Sequence, residues 1–310
     1  MKKKAIFTIM LSAILSIGAM AQNNRFSKYA DKIANTINSK TGSTEDSSPK
    51  EYSYGNVNSG ANSYVEVVNG VSFKMIFVEG STFFMGAAGN DNDARENEKL
   101  HQVTLNDYFI AETEVTQELW EAVMGTTVNQ QRRKAEADCG YDLDLGGVGN
   151  NLPMYYVSWD DCQEFIAKLN EMTGKNYYLP TEAQWEYAAR GDNKSRNCIY
   201  SGSNTIDQVA WYGLDYTEDV KPVASKMPNE LGIYDMSGSV WEWCHDWYDE
   251  YPSKKQVDPR GPAYGSTRVN RGGNWLADAN FCRVATRDSN ESGERIKGLG
   301  FRLAIKNSNN

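Results

Sequence analysis

The residues of this chain with the clearest capacity for chemistry are its cysteines, its histidines and a group of arginines near its end. The five cysteines are Cys139, Cys162, Cys198, Cys244 and Cys282. Thiolates bind soft metals, and an odd number leaves at least one thiol unpaired within a monomer. The two histidines, His101 and His245, are too few for a histidine-rich metal site. We predict that Arg271, Arg283, Arg287 and Arg302 form buried, bidentate pairs with carboxylates.

The length and composition of the chain indicate the kind of fold that must position these residues. The chain has 310 residues, of which 40% are hydrophobic, and it holds 8 Trp, 18 Tyr and 26 Gly. The chain is long enough for one large domain or two small ones, and its composition predicts a loop-rich fold with a core built from aromatic side chains. The net charge of -9 argues against nucleic acid or an anionic membrane as the partner.

The N-terminal region is typical of an exported protein. Three lysines, Lys2–Lys4, precede an apolar run over 5–18 and the small-residue sequence Ala19-Met20-Ala21. We predict a signal peptide over 1–21, cleaved after Ala21, and a secreted or periplasmic protein. Residues 22–63 are polar and poor in apolar surface, which predicts a flexible tether with one short amphipathic helical segment near its start. The folded domain is predicted over 64–306.

Local patterns within this domain predict one hairpin and three helices. Alternating apolar residues flank Asn69-Gly70, which is typical of a two-residue β-turn. Helices are predicted after the capping residues Thr116, Ser158 and Thr181, each followed by helically spaced apolar residues and then by glycine.

Several motifs occur in a fixed order along the chain. They are Leu179–Gly191, Tyr234–Trp243, Arg268–Trp275, Phe281–Arg283 and Gly298–Leu303. Together they resemble the formylglycine-generating enzyme family, also called sulfatase-modifying factors, over roughly 71–305. The resemblance implies an α+β fold related to C-type lectins, with little regular secondary structure.

Members with the family's best-known activity oxidise a substrate cysteine to formylglycine, using Cu(I) held by two thiols. On the family motif the first thiol position falls on Ala277, and Cys282 takes the second only if the residues after it are shifted. Aligning Arg283 and Arg287 instead leaves both thiol positions in a gap. The serine after the Arg-Gly-Gly turn corresponds to Asn274. One thiol cannot form a two-sulfur copper site. We therefore expect no copper and a non-catalytic binding or accessory role. The alternative is an active oxidase with Cys282 as its catalytic thiol. Iron chemistry, found in related sulfoxide synthases, would need more histidines.

The resemblance also implies a structural calcium ion. Its ligands would be the side chains of Asp235 and Glu242 and the carbonyls of Gly238 and Val240, an oxygen set that suits a hard cation. A disulfide between Cys244 and Cys282 is the preferred pairing, because both lie in segments that build the family's site.

Binding proteins with this fold present a variable surface between scaffold positions of the tail. That likeness implies ligand-binding residues at Asn274, Trp275, Asp278, Asn280, Phe281, Asp288 and Asn290. The ligand would be an unknown protein, peptide or glycan, and the protein would be peripheral to the cell envelope at most. Alternatively, Trp275 and Phe281 are core aromatics.

Overall fold

A computed structural model describes residues 62–89 and 91–307. The predicted signal peptide (1–21) lies outside the described residues, as does the predicted tether except for residues 62 and 63. Within the described ranges, every helix is too short or too polar to cross a bilayer.

The described chain forms twelve strands and five α-helices. The strands are β1 Ser63–Val68, β2 Val71–Val78, β3 Thr82–Met85, β4 His101–Thr104, β5 Tyr108–Ala111, β6 Tyr177–Tyr178, β7 Trp241–Trp247, β8 Gln256–Val257, β9 Arg268–Arg271, β10 Arg287–Asn290, β11 Leu299–Gly300 and β12 Ala304–Lys306. The helices are α1 Gln117–Met124, α2 Val128–Cys139, α3 Trp159–Thr173, α4 Glu182–Ala189 and α5 Ile206–Val209. Short 3-10 helices cover Glu96–Glu98, Asp192–Lys194 and Ala279–Phe281.

The predicted hairpin is confirmed. Strands β1 and β2 pair antiparallel with Val68 opposite Val71, which leaves Asn69 and Gly70 as the two turn residues. Both have positive φ, 49° and 84°, as this tight turn requires.

The three predicted helices are also confirmed, with their caps. The side chains of Thr116, Ser158 and Thr181 each accept a hydrogen bond from the amide three residues further on. Helix α2 was not predicted. It buries only Val128, Gln131 and Ala135, so its apolar stripe is too thin to stand out from the sequence.

Three sheets hold the domain together. The five-stranded sheet has the order β1-β2-β5-β12-β6, the four-stranded sheet β10-β9-β7-β11, and the three-stranded sheet β3-β4-β8. Strand β12 pairs with both β5 and β6. The C-terminal segment therefore completes a sheet whose other strands come from the N-terminal half of the domain. This mixture of short strands, helices and long loops confirms the α+β fold class.

The core is aromatic, as the composition predicts. Four tryptophans, Trp120, Trp185, Trp243 and Trp275, are among the largest fully buried side chains. Trp120 stacks on Phe165 with a centroid distance of 5.4 Å and meets Phe301 edge-on. The tail residue Phe301 therefore packs between helices α1 and α3.

Candidate functional site

The tail begins with a glycine turn that only small residues could form. Strand β9 ends at Arg271, and Gly272 and Gly273 follow with φ of 98° and 76°. A Cβ on Gly273 would lie 2.6 Å from the sulfur of Cys282. The turn therefore needs glycine both for its backbone angles and for its close approach to this thiol.

The four tail arginines are buried and paired with carboxylates, which confirms the predicted structural role. Arg302 makes two bonds to Glu242, of 2.6 and 2.7 Å. Arg283 binds Glu98 at 2.7 and 2.9 Å. The remaining pairs are Arg283 with Asp91, Arg287 with Glu182, and Arg271 with Glu182 and Glu186.

These pairs connect distant parts of the chain. Glu182 and Glu186 belong to helix α4, Glu98 to the 3-10 helix before β4, and Glu242 to β7. Charge-assisted bidentate bonds between buried groups fix the angle as well as the distance of both partners. The arginines therefore act as scaffold, and none of them is free to hold a substrate.

Cys282 is the one thiol in this region. Its side chain is fully buried, and its sulfur lies 3.9 Å from the carbonyl oxygen of Asp278. Burial raises the pKa of Cys282 to about 12, so the thiol stays protonated at neutral pH. The residue at the other family thiol position, Ala277, is half-buried, and its carbonyl accepts the amide of Gly213 at 2.8 Å.

The predicted disulfide between Cys244 and Cys282 is wrong. All five cysteines lie within the described residues, and all are free thiols. Cys244 lies on β7 and packs into the core cluster with Trp185 and Val269, whereas the sulfur of Cys282 is enclosed by the Gly273 turn. Segments that belong to one site can thus direct their thiols into separate pockets.

The residues predicted to bind ligand divide into exposed and buried members. Asp278 is exposed, whereas Asn274, Asn280, Phe281, Asp288 and Asn290 are partly exposed. Trp275 is fully buried, packs edge-on against Tyr155 and donates its indole N–H to the carbonyl of Glu218 at 3.3 Å. The assignment of Trp275 to the binding surface is therefore wrong, and its core alternative is correct.

Phe281 is the centre of a small aromatic and charged cluster. The guanidinium of Arg95 lies 4.6 Å from the centroid of its ring, and Trp241 meets the ring edge-on at 6.5 Å. Asp288 lies near Arg95, and burial raises the pKa of its carboxyl, an effect that Arg95 opposes. Sequence reasoning missed Arg95 and Trp241 because both lie far from the tail in sequence. We call Arg95, Trp241, Phe281 and Asp288 the tail surface.

Several polar groups of the predicted binding residues form hydrogen bonds within the fold. Asn290 accepts a bond from Asn270 inside the four-stranded sheet, and Asn274 accepts the amide of Leu276 at 3.0 Å. The carbonyl of Asn280 accepts bonds from Arg283 and Thr286. The best-exposed polar side chain of the predicted set is therefore Asp278.

The predicted calcium ligands lie in a buried acidic region beside Arg302. Asp235 has a φ of 60°, and one carboxylate oxygen accepts the amide of Ala224 at 2.6 Å. Glu242, by contrast, is fully used, because its two oxygens bind Arg302 and one also accepts the indole N–H of Trp185 at 2.8 Å. Glu242 is thus not available as a calcium ligand in this arrangement.

A carboxylate that sequence reasoning missed lies beside Asp235. Both oxygens of Glu114 are buried without a hydrogen-bond partner in the described part of the chain, as is the hydroxyl of Ser239. Burial raises the pKa of Glu114 well above its usual range, and Asp235 raises it further. Burial likewise raises the pKa of Asp235 to about 6. Partnerless buried oxygens next to a carboxylate are the donor set that a hard cation takes.

Other metals fit less well. Across the described ranges there is no group of three or more His, Cys, Asp or Glu side chains arranged to hold a metal ion. A calcium ion here would therefore need backbone carbonyls as well as Asp235 and Glu114. Copper does not fit the residues present, because Cys282 has no second thiol beside it.

The two histidines have structural surroundings. His101 contacts the carbonyl of Lys99 through Nδ1 at 3.0 Å, and its ring packs at a tilt against Tyr251 with a centroid distance of 4.4 Å. Burial, Arg260 and Arg268 lower the pKa of His245 to about 4, so this ring is neutral at physiological pH.

Comparison with known proteins identifies the scaffold. A family model, the sulfatase-modifying factor enzyme 1-like domain, matches residues 66–307. The chain belongs to this family. The motifs that carry the resemblance supply most of the buried ion-pair residues described above, namely Glu182, Glu186, Glu242, Arg271, Arg283 and Arg302.

Two proteins that are similar in sequence to this chain have names that indicate different roles. A chaperone protein LppX from Paenibacillus barcinonensis is 33% identical over 251 residues, which cover 69% of this chain and 83% of that protein. A formylglycine-generating enzyme from Streptomyces coelicolor is 38% identical over 182 residues, covering 53% of this chain and 56% of the enzyme. The match thus spans about half the length of that enzyme.

Solved structures show the same fold. The Treponema denticola variable protein 1 has a TM-score of 0.69 and 30% identity, with 80% of this chain and 100% of that chain covered. PvdO from Pseudomonas aeruginosa has a TM-score of 0.60 at 23% identity, covering 76% and 94%, and shows the fold alone.

Proposed function

We propose that this sulfatase-modifying factor family member is a secreted or periplasmic, non-catalytic protein that acts by binding. Its partner would be a protein, peptide or glycan, and not nucleic acid, since the chain carries a net charge of -9. Its association with the cell envelope would be peripheral. The proposed route of export depends on the signal peptide pattern over 1–21.

The observation that carries this proposal is the solitary thiol. Copper-dependent oxidation in this family needs two thiolates, and soft thiolates are what retain Cu(I). Here Cys282 is buried and protonated at neutral pH, since its pKa is raised to about 12 by burial, and Ala277 occupies the other position. The chain keeps the scaffold of the family while lacking half of its metal ligand set.

The tail surface supplies the proposed binding groups. Phe281 offers a partly exposed aromatic ring that Arg95 holds in place, and Trp241 lies at its edge. Aromatic and arginine side chains are the residues that most often dominate protein recognition. Asp278 adds an exposed acidic group on the same tail segment.

Enzymatic activity is tested directly. The purified protein is incubated with Cu(I), oxygen and a peptide containing the sequence Cys-X-Pro-X-Arg, and aldehyde is measured by mass spectrometry. We expect no aldehyde from the native protein. Ala277→Cys, which restores a second thiol, serves as the matched variant for the missing ligand. Aldehyde formed by the native protein and absent in Cys282→Ala would overturn the non-catalytic proposal.

Binding is tested on peptide and glycan arrays. We expect the native protein to retain a defined set of ligands and Phe281→Ala to lose that set. Tyr264→Ala removes an aromatic ring that is 85% exposed, and is the control for nonspecific aromatic adhesion. Equal loss in both variants, or no loss in Phe281→Ala, would contradict a role for the tail surface.

An active oxidase is the second candidate. It is favoured by the 38% identity to a formylglycine-generating enzyme over 182 residues. In that case Cys282 would be the catalytic thiol, and a partner protein would have to supply the second copper ligand.

We also propose a structural calcium ion in the acidic region next to Arg302. Asp235 and the carbonyls of Gly238 and Val240 keep the roles implied by the family. The partnerless oxygens of Glu114 take the place of Glu242, whose carboxylate is bound to Arg302. Calcium would relieve the unfavourable burial of two adjacent carboxyl groups.

A further inference from the structure

A pocket of about 290 Å³ opens beside strand β7. Residues on its wall include Asp246, Glu182, His101, Tyr251, Arg260 and Arg287. None of the residues predicted to bind ligand lines it. Its volume is at the lower end of the range of about 300–1,000 Å³ that is usual for small-molecule sites, so it suits a small group.

The carboxyl group of Asp246 is the unusual feature of this pocket. Asp246 is 4% exposed, and its Oδ2 accepts the amide of Glu182 at 3.0 Å. Gly261 lies against the Asp246 side chain, and its lack of a Cβ leaves space beside Oδ1 on the wall of the cavity. An almost fully buried carboxyl that reaches a cavity can be bonded by a ligand that enters it.

Several other buried carboxylates of the domain are neutralised by arginine. Glu98, Glu182, Glu186 and Glu242 each form an ion pair with an arginine. Within the described ranges Asp246 forms no ion pair. Its charge is therefore left for something outside the chain to neutralise.

Among the described residues, no positively charged side chain near Asp246 forms an ion pair with its carboxylate. Glu182 from helix α4 is itself bound by Arg287 in a bidentate pair. Arg260 directs its Nη2 toward the Nε2 of His245, 3.2 Å away. The carboxylates of Asp249 and Glu250 are exposed at the pocket and add negative charge.

We propose that this pocket binds a primary ammonium group, which donates a hydrogen bond to Oδ1 of Asp246. Apolar surface from Tyr251 and neighbouring prolines suits the alkyl chain that carries the ammonium. The shared chemistry fits a free alkylamine and the side chain of a lysine alike. This site is separate from the tail surface, so it does not depend on the function proposed for that surface.

Affinity should depend on pH through Asp246. Burial and, to a lesser extent, the charge of Glu182 raise the pKa of its carboxyl to about 7, even though the amide of Glu182, Arg287 and Arg260 act in the opposite direction. An alkylammonium stays charged throughout this range, because its pKa is close to about 10.4. Only the ionised carboxylate pairs with it, so the dissociation constant should be about thirty-fold weaker at pH 5.5 than at pH 8.0.

The test is titration calorimetry at constant ionic strength with two cations, n-butylammonium and Nα-acetyl-lysine methylamide. Their neutral counterparts are n-butanol and Nα-acetyl-norleucine methylamide. We expect binding of a cation at pH 8.0, about thirty-fold weaker binding at pH 5.5, and much weaker binding of the neutral counterparts. Binding of n-butylammonium alone would identify a free amine as the ligand, and binding of the capped lysine would identify a lysine side chain.

Asp246→Asn provides the sharpest variant. Its amide oxygen still accepts the N–H of Glu182, so the start of α4 keeps its bond, but the charge is gone. We expect at least a ten-fold loss of affinity at pH 8.0 and no remaining pH dependence. Asp249→Asn, which removes an exposed charge at the same pocket, should bind nearly as well as the native protein. Native affinity in Asp246→Asn, equal affinity at both pH values, or failure of both cations to bind would overturn the proposal.

Discussion

Calcium removal should destabilise this protein more at neutral pH than at acid pH. The reason lies in Asp235, whose carboxyl has a pKa raised by burial from 3.8 to about 6. In the calcium-free fold, a carboxyl with a raised pKa binds more protons than it does in the unfolded chain. The free energy of unfolding therefore falls as the pH rises between about 4 and about 6.

The size of this effect follows from the shift. A rise of about two pKa units corresponds to roughly 3 kcal/mol lost between pH 4 and pH 7 from Asp235 alone. Glu114, whose pKa is raised in the same direction, adds to the loss. A bound calcium ion favours the ionised forms and should remove this decline. At a concentration one hundred times its dissociation constant it also adds about 2.7 kcal/mol.

The assay is urea denaturation from pH 4.5 to 7.5, in EGTA and in excess calcium chloride. Other shifted groups, such as Asp246, contribute equally to both series, so the difference between the curves isolates the calcium site. We expect a difference near zero at pH 4.5 that grows to several kcal/mol at pH 7.5. Asp235→Asn should abolish that growth. Superimposable curves at every pH would refute the calcium site and the role given to Glu114.

Two further predictions concern the buried tail residues. Arg302→Leu should lower the free energy of unfolding by about 3–5 kcal/mol, because it leaves the carboxylate of Glu242 buried without its partner. The control Arg196→Leu removes an arginine whose side chain is exposed, and it should destabilise the fold much less. Similar losses in the two variants, measured by urea denaturation, would contradict the scaffold role of Arg302. In the native protein at pH 7.5, mass spectrometry after iodoacetamide treatment should find the exposed Cys139 alkylated and the buried, protonated Cys282 unmodified, and rapid labelling of Cys282 without denaturant would show that its thiol is more accessible than described.

Local sequence signals predicted the local structure well. The Asn69-Gly70 turn and the capping residues of α1, α3 and α4 depend on interactions within a few residues. The local sequence is therefore sufficient to predict them. Helix α2 also has such a signal, the capping box formed by Thr127 and Gln130. The cap alone does not predict this helix, because only Val128, Gln131 and Ala135 along it are buried and its apolar face is narrow.

Long-range properties of the site could be predicted only in part. The sequence indicated that the tail arginines would be paired, but Arg283 and its partner Glu98 are 185 positions apart, and nothing local names such a partner. The wrong assignment of Trp275 to the binding surface has the same cause. Its sequence does not show which side of the tail segment packs against the core, because that depends on residues that are distant along the chain. Asp246 likewise carried no readable signal, because the pairing of β7 with β9 is irregular between Trp243 and Trp247 and simple alternation fails there.

The buried acidic residues of this domain fall into two groups, those paired with arginine, which belong to the scaffold, and those without an arginine partner, which mark the candidate sites. An acid bound by arginine, such as Glu242, is already neutralised, and removing either partner exposes the other to an apolar interior. Glu114, Asp235 and Asp246 are buried without an arginine bond in the described part of the chain. Burial of an unpaired carboxyl is unfavourable unless a proton or a cation accompanies it. A calcium ion beside Asp235 and an ammonium group beside Asp246 meet that requirement in two different ways. Both can be measured without knowing the ligand of the tail surface.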